Sequence, residues 1–207
     1  IKMNHRITFL EEGKHYETFE DILPDTNSVL DMLIIGKTPS PNSVKIGHYF
    51  QGRQGKSMWN KLEEYGILKK STQYHDDSLL LSNIGITDIV KAPRLTGNEP
   101  SLAEYMEGKQ NVLDIIKRHS PKVLFFVYKP ILENIVPLFI KVEYGFNDTL
   151  SDYFYGSRPF LFPMPGTGKV TTEIIRKSMM ELKDYLKKIT ENDLYRTLNP
   201  KRMVREM

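Results

Sequence analysis

Four short apolar runs, each closed off by turn residues, organise the middle of the chain: "DMLIIG" (31–36), "SLLLSNIG" (78–85), "KVLFFVY" (122–128) and "PFLFPM" (159–164). They are apolar at consecutive rather than alternate positions. That pattern marks strands covered on both faces, as in a parallel sheet with helices above and below it. Between the runs the period changes. "KSMWNKLEEYGIL" sets Met58, Leu62 and Tyr65 on one helical face, and Gly66 closes it. Ser101 with Glu104 three residues on has capping-box spacing. Leu102, Tyr105, Met106, Val112, Leu113 and Ile116 follow at helical intervals, with Pro121 just beyond. A last stripe of Ile175, Met179, Leu182, Leu186 and Ile189 is surrounded by Arg176, Lys177, Lys183, Lys187 and Lys188.

The alternation predicts a three-layer α/β/α domain over residues 28–190, built on a short, mostly parallel, four-stranded central sheet. Residues 1–27 read as a polar N-terminal arm containing aromatics, and 191–207 as a short basic-leaning tail. No internal repeat is visible. A chain of 207 residues with 40% hydrophobic and 27% charged positions matches an ordinary globular protein. The absence of cysteine removes disulfides, thiolate zinc sites, iron–sulfur clusters and cysteine nucleophiles, and points to a reducing, intracellular setting. A net charge of +3 permits nucleic-acid binding without arguing for it. No apolar run is long enough to span a membrane, and the opening "IKMNHRITFLEEGKH" lacks the apolar core of a secretory signal. The five histidines show no metal-ligand spacing.

The stretch "FLFPMPGTGKVTTEII" (160–175) raises the question of chemistry, because strand, glycine-rich loop and helix start commonly hold a phosphate. It is not a nucleotide P-loop: Pro163 stands where the first glycine belongs, and Val170 follows Lys169 in place of serine or threonine. "GKS" at 55–57 fails as well, with Phe50 at the first-glycine position, and no dinucleotide fingerprint follows the first strand.

Taken in order, the motifs resemble those of the uracil-DNA glycosylase superfamily, and within it the mismatch-specific and thymine-DNA glycosylase branch. "LIIGKTPSPNSVKIGHYF" followed by "MWNKLEEYGIL" resembles the first motif, in which a strand leads to a water-positioning loop, a base-stacking aromatic and a tryptophan-bearing helix. "SNIGITDIVKAPRLTGNEPS" resembles the second landmark, "KVLFFVYKPILENI" the third strand and its turn, and "LFPMPGTGKV" the loop that presses into the minor groove. The match runs over residues 31–189.

The resemblance implies a monomeric DNA glycosylase that needs no metal and no cofactor, engages duplex or single-stranded DNA, and does not act at a membrane. Base flipping exposes a damaged, mismatched or modified base for excision, in repair or in defence against foreign DNA such as that of phage. On this chain it assigns Thr38 and Asp88 as catalytic, and Gly36, Lys37, Ser40, Asn42, Tyr49 and Phe50 as substrate-binding. Lys56, Met164, Pro165, Gly166, Thr167, Gly168, Lys169 and Val170 are assigned to DNA, with Lys169 or Val170 as the wedge that replaces the flipped base. The departures are informative. Thr38 replaces the asparagine that positions the attacking water, Ser40 a glycine, Asp88 a base-reading asparagine and Val170 a wedge arginine. Lys56 stands where the hypoxanthine branch keeps its own asparagine. A carboxylate at 88 could accept from an exocyclic amino group or activate water, which favours an amino-bearing or 5-substituted pyrimidine over plain uracil. Two other readings fit the same residues: a DNA-binding member that has lost catalysis, and an α/β enzyme acting on free nucleosides.

Overall fold

The computed structural model describes residues 4–11, 13–95 and 97–198, without the side chains of 11, 14 and 195–198. The first elements among the described residues are β1 (Arg6–Glu11) and β2 (Lys14–Phe19), which pair as an antiparallel hairpin within the N-terminal arm. There follow β3 (Met32–Gly36), α1 (Pro41–Ile46), α2 (Arg53–Glu64), β4 (Ile84–Asp88), α3 (Leu102–His119), β5 (Val123–Phe126) and α4 (Lys129–Ile135). The chain then runs through β6 (Gly145–Phe146), β7 (Arg158–Leu161) and α5 (Thr172–Leu198). The helical stripe read to Ile189 thus continues beyond 190, and residues 199–207 of the tail lie outside the described residues.

Five strands form the central sheet in the order β4-β3-β5-β7-β6, one more than the sequence predicts. β3, β4, β5 and β7 run parallel. The fifth strand, β6, has two residues and pairs antiparallel with β7, too short to leave an apolar run. Consecutive side chains of a strand point to opposite faces, and here each face has its own core. Met32, Ile34, Ile84, Ile86, Phe125 and Phe160 meet Met58, Trp59, Met179 and Leu182 from α2 and α5. Leu33, Ile35, Leu124, Phe126 and Leu161 meet Tyr105, Val112, Ile116, Ile131 and Leu132 from α3 and α4. Doubly covered strands explain the unbroken apolar runs.

One run, 78–85, is strand only at its end. "SLLL" lies in two short 3-10 turns, Asp76–Ser78 and Leu80–Ser82, and β4 begins only at Ile84. The acidic residues ahead of it fix the turn: Asp76 accepts the Tyr49 backbone N–H at 2.7 Å, and Asp76, Asp77 and Ser78 are all buried. Leu80 and Leu81 are exposed instead. Asn83, in a left-handed conformation at φ 54°, ends the turns before the strand starts.

The outer edge of β4 is capped by the arm. Ile22 exchanges both backbone hydrogen bonds with Ile86, at 3.1 and 3.0 Å, which removes donors and acceptors an exposed edge would offer. The capping box on α3 forms as the spacing predicts, Ser101 Oγ accepting from Glu104 N and Glu104 from Ser101 N. Ser101→Ala is expected to lower unfolding free energy by about 1 kcal/mol, read by urea denaturation.

Candidate active site

Parallel strands end at one edge of the sheet, and ligands in such sheets bind where their carboxyl ends open. β3 ends at Gly36 and β4 at Asp88, paired in register. A cavity of about 320 Å3 opens there. It is lined by Thr38 and Ser40 after β3, Tyr49, Phe50 and Gly55 around the start of α2, Asp88 from β4, and Tyr128 after β5. Phe19 closes it from the arm.

Gly36 is glycine because of what lies over it. A Cβ there would fall 2.0 Å from Asp88 Oδ1 and 2.7 Å from Phe50 Cζ, so the carboxyl and the ring both rest on its bare Cα. Asp88 is 3% exposed, and Oδ2 has no hydrogen-bond partner among the described residues. Burial pushes its pKa up to about 7, against the attraction of the Lys91 ammonium and helped by repulsion from Asp21. Lys91 is held in turn by Asp21 and by Thr87 Oγ1 at 2.9 Å. Tyr128 shares the cavity, its phenol raised to about 12 by burial and by Asp88.

The aromatic platform is braced from behind. Tyr49 is buried, stacks on Phe19 with ring centroids 4.4 Å apart, and donates its hydroxyl to Glu20 O at 2.9 Å. Asp76 holds its N–H, while its carbonyl accepts from Trp59 Nε1 at 3.1 Å and Gln51 Nε2 at 2.8 Å. Phe50 follows with φ 56°, a conformation costly for a bulky residue and maintained where surroundings over-determine it. Gly55 is part of that constraint, since a Cβ there would stand 2.4 Å from both Cβ and O of Phe50.

Of the residues singled out in the sequence, Thr38, Ser40, Tyr49, Phe50 and Asp88 line the cavity, with Gly36 beneath. Ser40 also caps α1, accepting from Ser43 N at 3.1 Å. Lys37 turns aside to pair with Glu99 at 2.5 Å and lies 5.9 Å from the Tyr128 ring centroid. Asn42 and Lys56 are exposed on α1 and α2 and do not line the cavity; Ser43, Arg53 and Gln54 do. Tyr128 is legible from the strand-end rule alone, because it follows β5 at the same edge. Phe19 is not, since nothing in its local sequence ties the arm to β3.

The glycine-rich loop leaves β7 at this edge but does not line the cavity. Met164 is 3% exposed and belongs to the core, and Val170 is half-buried against the same core. Thr167 Oγ1 donates to Met164 O at 2.6 Å, a bond internal to the turn. Gly166 and Gly168 take left-handed φ of 78° and 48°, which leaves Lys169 as the exposed side chain at the tip of the turn before α5.

A family model described as the uracil DNA glycosylase superfamily matches residues 23–190, which spans the five-stranded sheet, the glycine-rich loop and every lining residue of the cavity but Phe19. The family acts on DNA, as glycosylases that hydrolyse the bond to a damaged base. Both the order of the motifs and the family model lead to one conclusion: the chain belongs to the uracil DNA glycosylase superfamily.

Proposed function

We propose that this protein is a monofunctional DNA glycosylase in which Asp88 activates the hydrolytic water and Phe50 stacks on the flipped base. The observation that carries the reading is the buried Asp88 carboxyl, with an unpartnered oxygen and a pKa near 7, in a cavity that Phe50 and Tyr49 wall. A general base poised near the working pH balances ionised fraction against proton affinity. In the proposed step, water oxygen bonds to the sugar C1′ as the C1′–N bond breaks. Asp88 takes the proton of that water, and the base leaves with the electron pair of the broken bond. No metal enters this step. Thr38 lies on the same wall, where its hydroxyl can hold the water. Stacking on Phe50 contributes about 1–3 kcal/mol toward keeping the base extrahelical.

The substrate is an amino-bearing or 5-substituted pyrimidine, in duplex or single-stranded DNA. The support for that substrate class is the altered reading set, with Thr38, Ser40 and Asp88 in place of the residues that the family branch uses on plain uracil and thymine. The protein works as a monomer, in repair or in defence against foreign DNA carrying modified bases. Lys169, rather than the packed Val170, is the side chain placed to meet phosphate or enter the groove.

The test is a panel of duplexes carrying uracil, thymine mispairs, hypoxanthine and 5-modified cytosines, scored by alkali cleavage of abasic sites. Cleavage of one substrate supports the enzyme. Silence across the panel with retained duplex binding supports a DNA-binding member without catalysis, which the replacement of both family asparagines by Thr38 and Lys56 favours. Lys169→Ala is expected to weaken binding about equally for all sequences and to reduce the slope of log K against log salt by about 1, read by fluorescence anisotropy.

A further inference from the structure

Next to the Tyr49 backbone, and outside the lining of the cavity, four buried side chains from three distant segments converge. His5 precedes the hairpin, His48 precedes Tyr49, and Asp76 and Asp77 open the first 3-10 turn. His48 Nδ1 lies 3.0 Å from Asp76 Oδ1 and 3.7 Å from Asp77 Oδ1, and His5 Nε2 lies 3.3 Å from Asp77 Oδ1. One nitrogen or oxygen from each residue falls within 4.8 Å of all the others. Positions 5, 48, 76 and 77 have no regular spacing, which is why the sequence shows no ligand pattern.

We propose that His5, His48, Asp76 and Asp77 form a structural zinc site that fastens the N-terminal arm to the aromatic loop. Ligands held at about 2.0–2.1 Å around a tetrahedral ion stand about 3.3 Å apart; three of the His–Asp separations, 3.0, 3.3 and 3.7 Å, bracket that value, and all lie within 4.8 Å. Two imidazoles and two carboxylates suit Zn2+ better than hard, oxygen-seeking cations. The charge also fits. Among the described residues no lysine or arginine pairs with Asp76 or Asp77, so two buried carboxylates lack a fixed cation.

The outer contacts orient the proposed ligands, as such shells do. Asp76 Oδ2 accepts from Tyr49 N at 2.7 Å, and Asp77 Oδ2 accepts from Thr72 Oγ1 at 2.5 Å. His5 Nδ1 faces Glu20 Oε1 at 3.9 Å. An open groove beside the cluster, lined by Asn4, Glu20, Asp21 and Thr72 together with His5, Asp76 and Asp77, supplies an entry path. The site does not touch the proposed reaction; it holds the arm and the Tyr49 backbone.

The full chain, stripped by a chelator and passed through a desalting column, is titrated with Zn2+. Bound metal is measured by mass spectrometry, and a parallel cobalt titration is followed in the visible. One zinc per chain, the intense visible bands of tetrahedral cobalt, and a melting temperature raised by about 5–10 °C at zinc a hundredfold above Kd are expected. His5→Gln and Asp77→Asn each weaken binding by about a hundredfold or more. Binding well below one equivalent, or equal binding in both variants, overturns the proposal; the latter assigns the metal to surface groups such as His75 and Glu63. Wild-type stoichiometry and the cobalt spectrum need no variant, so a misfolded substitution leaves the result decisive. Duplex cleavage is not the readout, so failure of the glycosylase reading does not affect it.

Discussion

Asp88→Asn is expected to lower the excision rate by about 10²–10⁴-fold while leaving duplex affinity within a few-fold, measured by single-turnover cleavage and anisotropy on the substrate found in the panel. Asparagine keeps the shape but cannot accept the proton of the attacking water. In the wild type the rate follows the ionised fraction of a group titrating near pH 7. It rises about tenfold per pH unit below that value and levels above it. A rate that falls with rising pH assigns the protonated carboxyl instead and removes the base role. The same group links activity to stability. Its pKa is raised from 3.8 to about 7, so the folded state binds the proton more tightly than the unfolded chain. Stability present below about pH 4 is therefore lost as pH rises to 7, by about 4 kcal/mol. Asp88→Asn has no such loss. Its melting temperature is expected to exceed the wild type's at pH 8 and to converge with it toward pH 4, by calorimetry at both. A residue that destabilises the fold at working pH and is needed for turnover has the signature of a functional group.

Gly36→Ala is expected to reduce kcat/KM by about a hundredfold or more. The added methyl would lie 2.0 Å from Asp88 Oδ1 and 2.7 Å from Phe50 Cζ, so both must move. A displacement of about 1 Å in a reacting group is enough for a hundredfold effect. The strand itself survives, because Gly36 is the last residue of β3 and φ is not the constraint there. Melting curves should accordingly shift less than activity does. Activity within threefold of wild type would place the reaction outside this cavity.

Much of the architecture is written in the apolar runs. Three of the four hold a whole or nearly whole strand and the fourth runs into the start of β4, and their continuity follows from the two cores that sheathe the sheet. "SLLL" misleads because its shape is decided by the aspartates ahead of it, whose partners His48 and the Tyr49 amide lie 28 and 27 residues away. The hairpin and its docking are equally tertiary: β1 and β2 pair only with each other, and the segment after them reaches the main sheet through the bridge of Ile22 with Ile86, 64 residues on. At the site, Thr38, Phe50 and Asp88 are legible through ordered motifs. Gly55 is not, because its need for a bare Cα depends on the unusual backbone of Phe50. Asn42 has a turn-forming neighbourhood and sits on the exposed side of α1, where periodicity over six residues is too short to tell.

β3 lies between β4 and β5, so it is paired on both sides only after Phe126 has been made. The cavity draws its walls from the arm, β3, β4 and the segment after β5. A chain made only as far as Asp88 therefore carries every lining residue of the pocket but Tyr128, on a β3 that still lacks one of its two neighbours. Such non-local pairing favours late, cooperative assembly over stepwise maturation. For a protein that would cut bases from DNA, this timing ties the appearance of the pocket to completion of the fold that restricts what enters it.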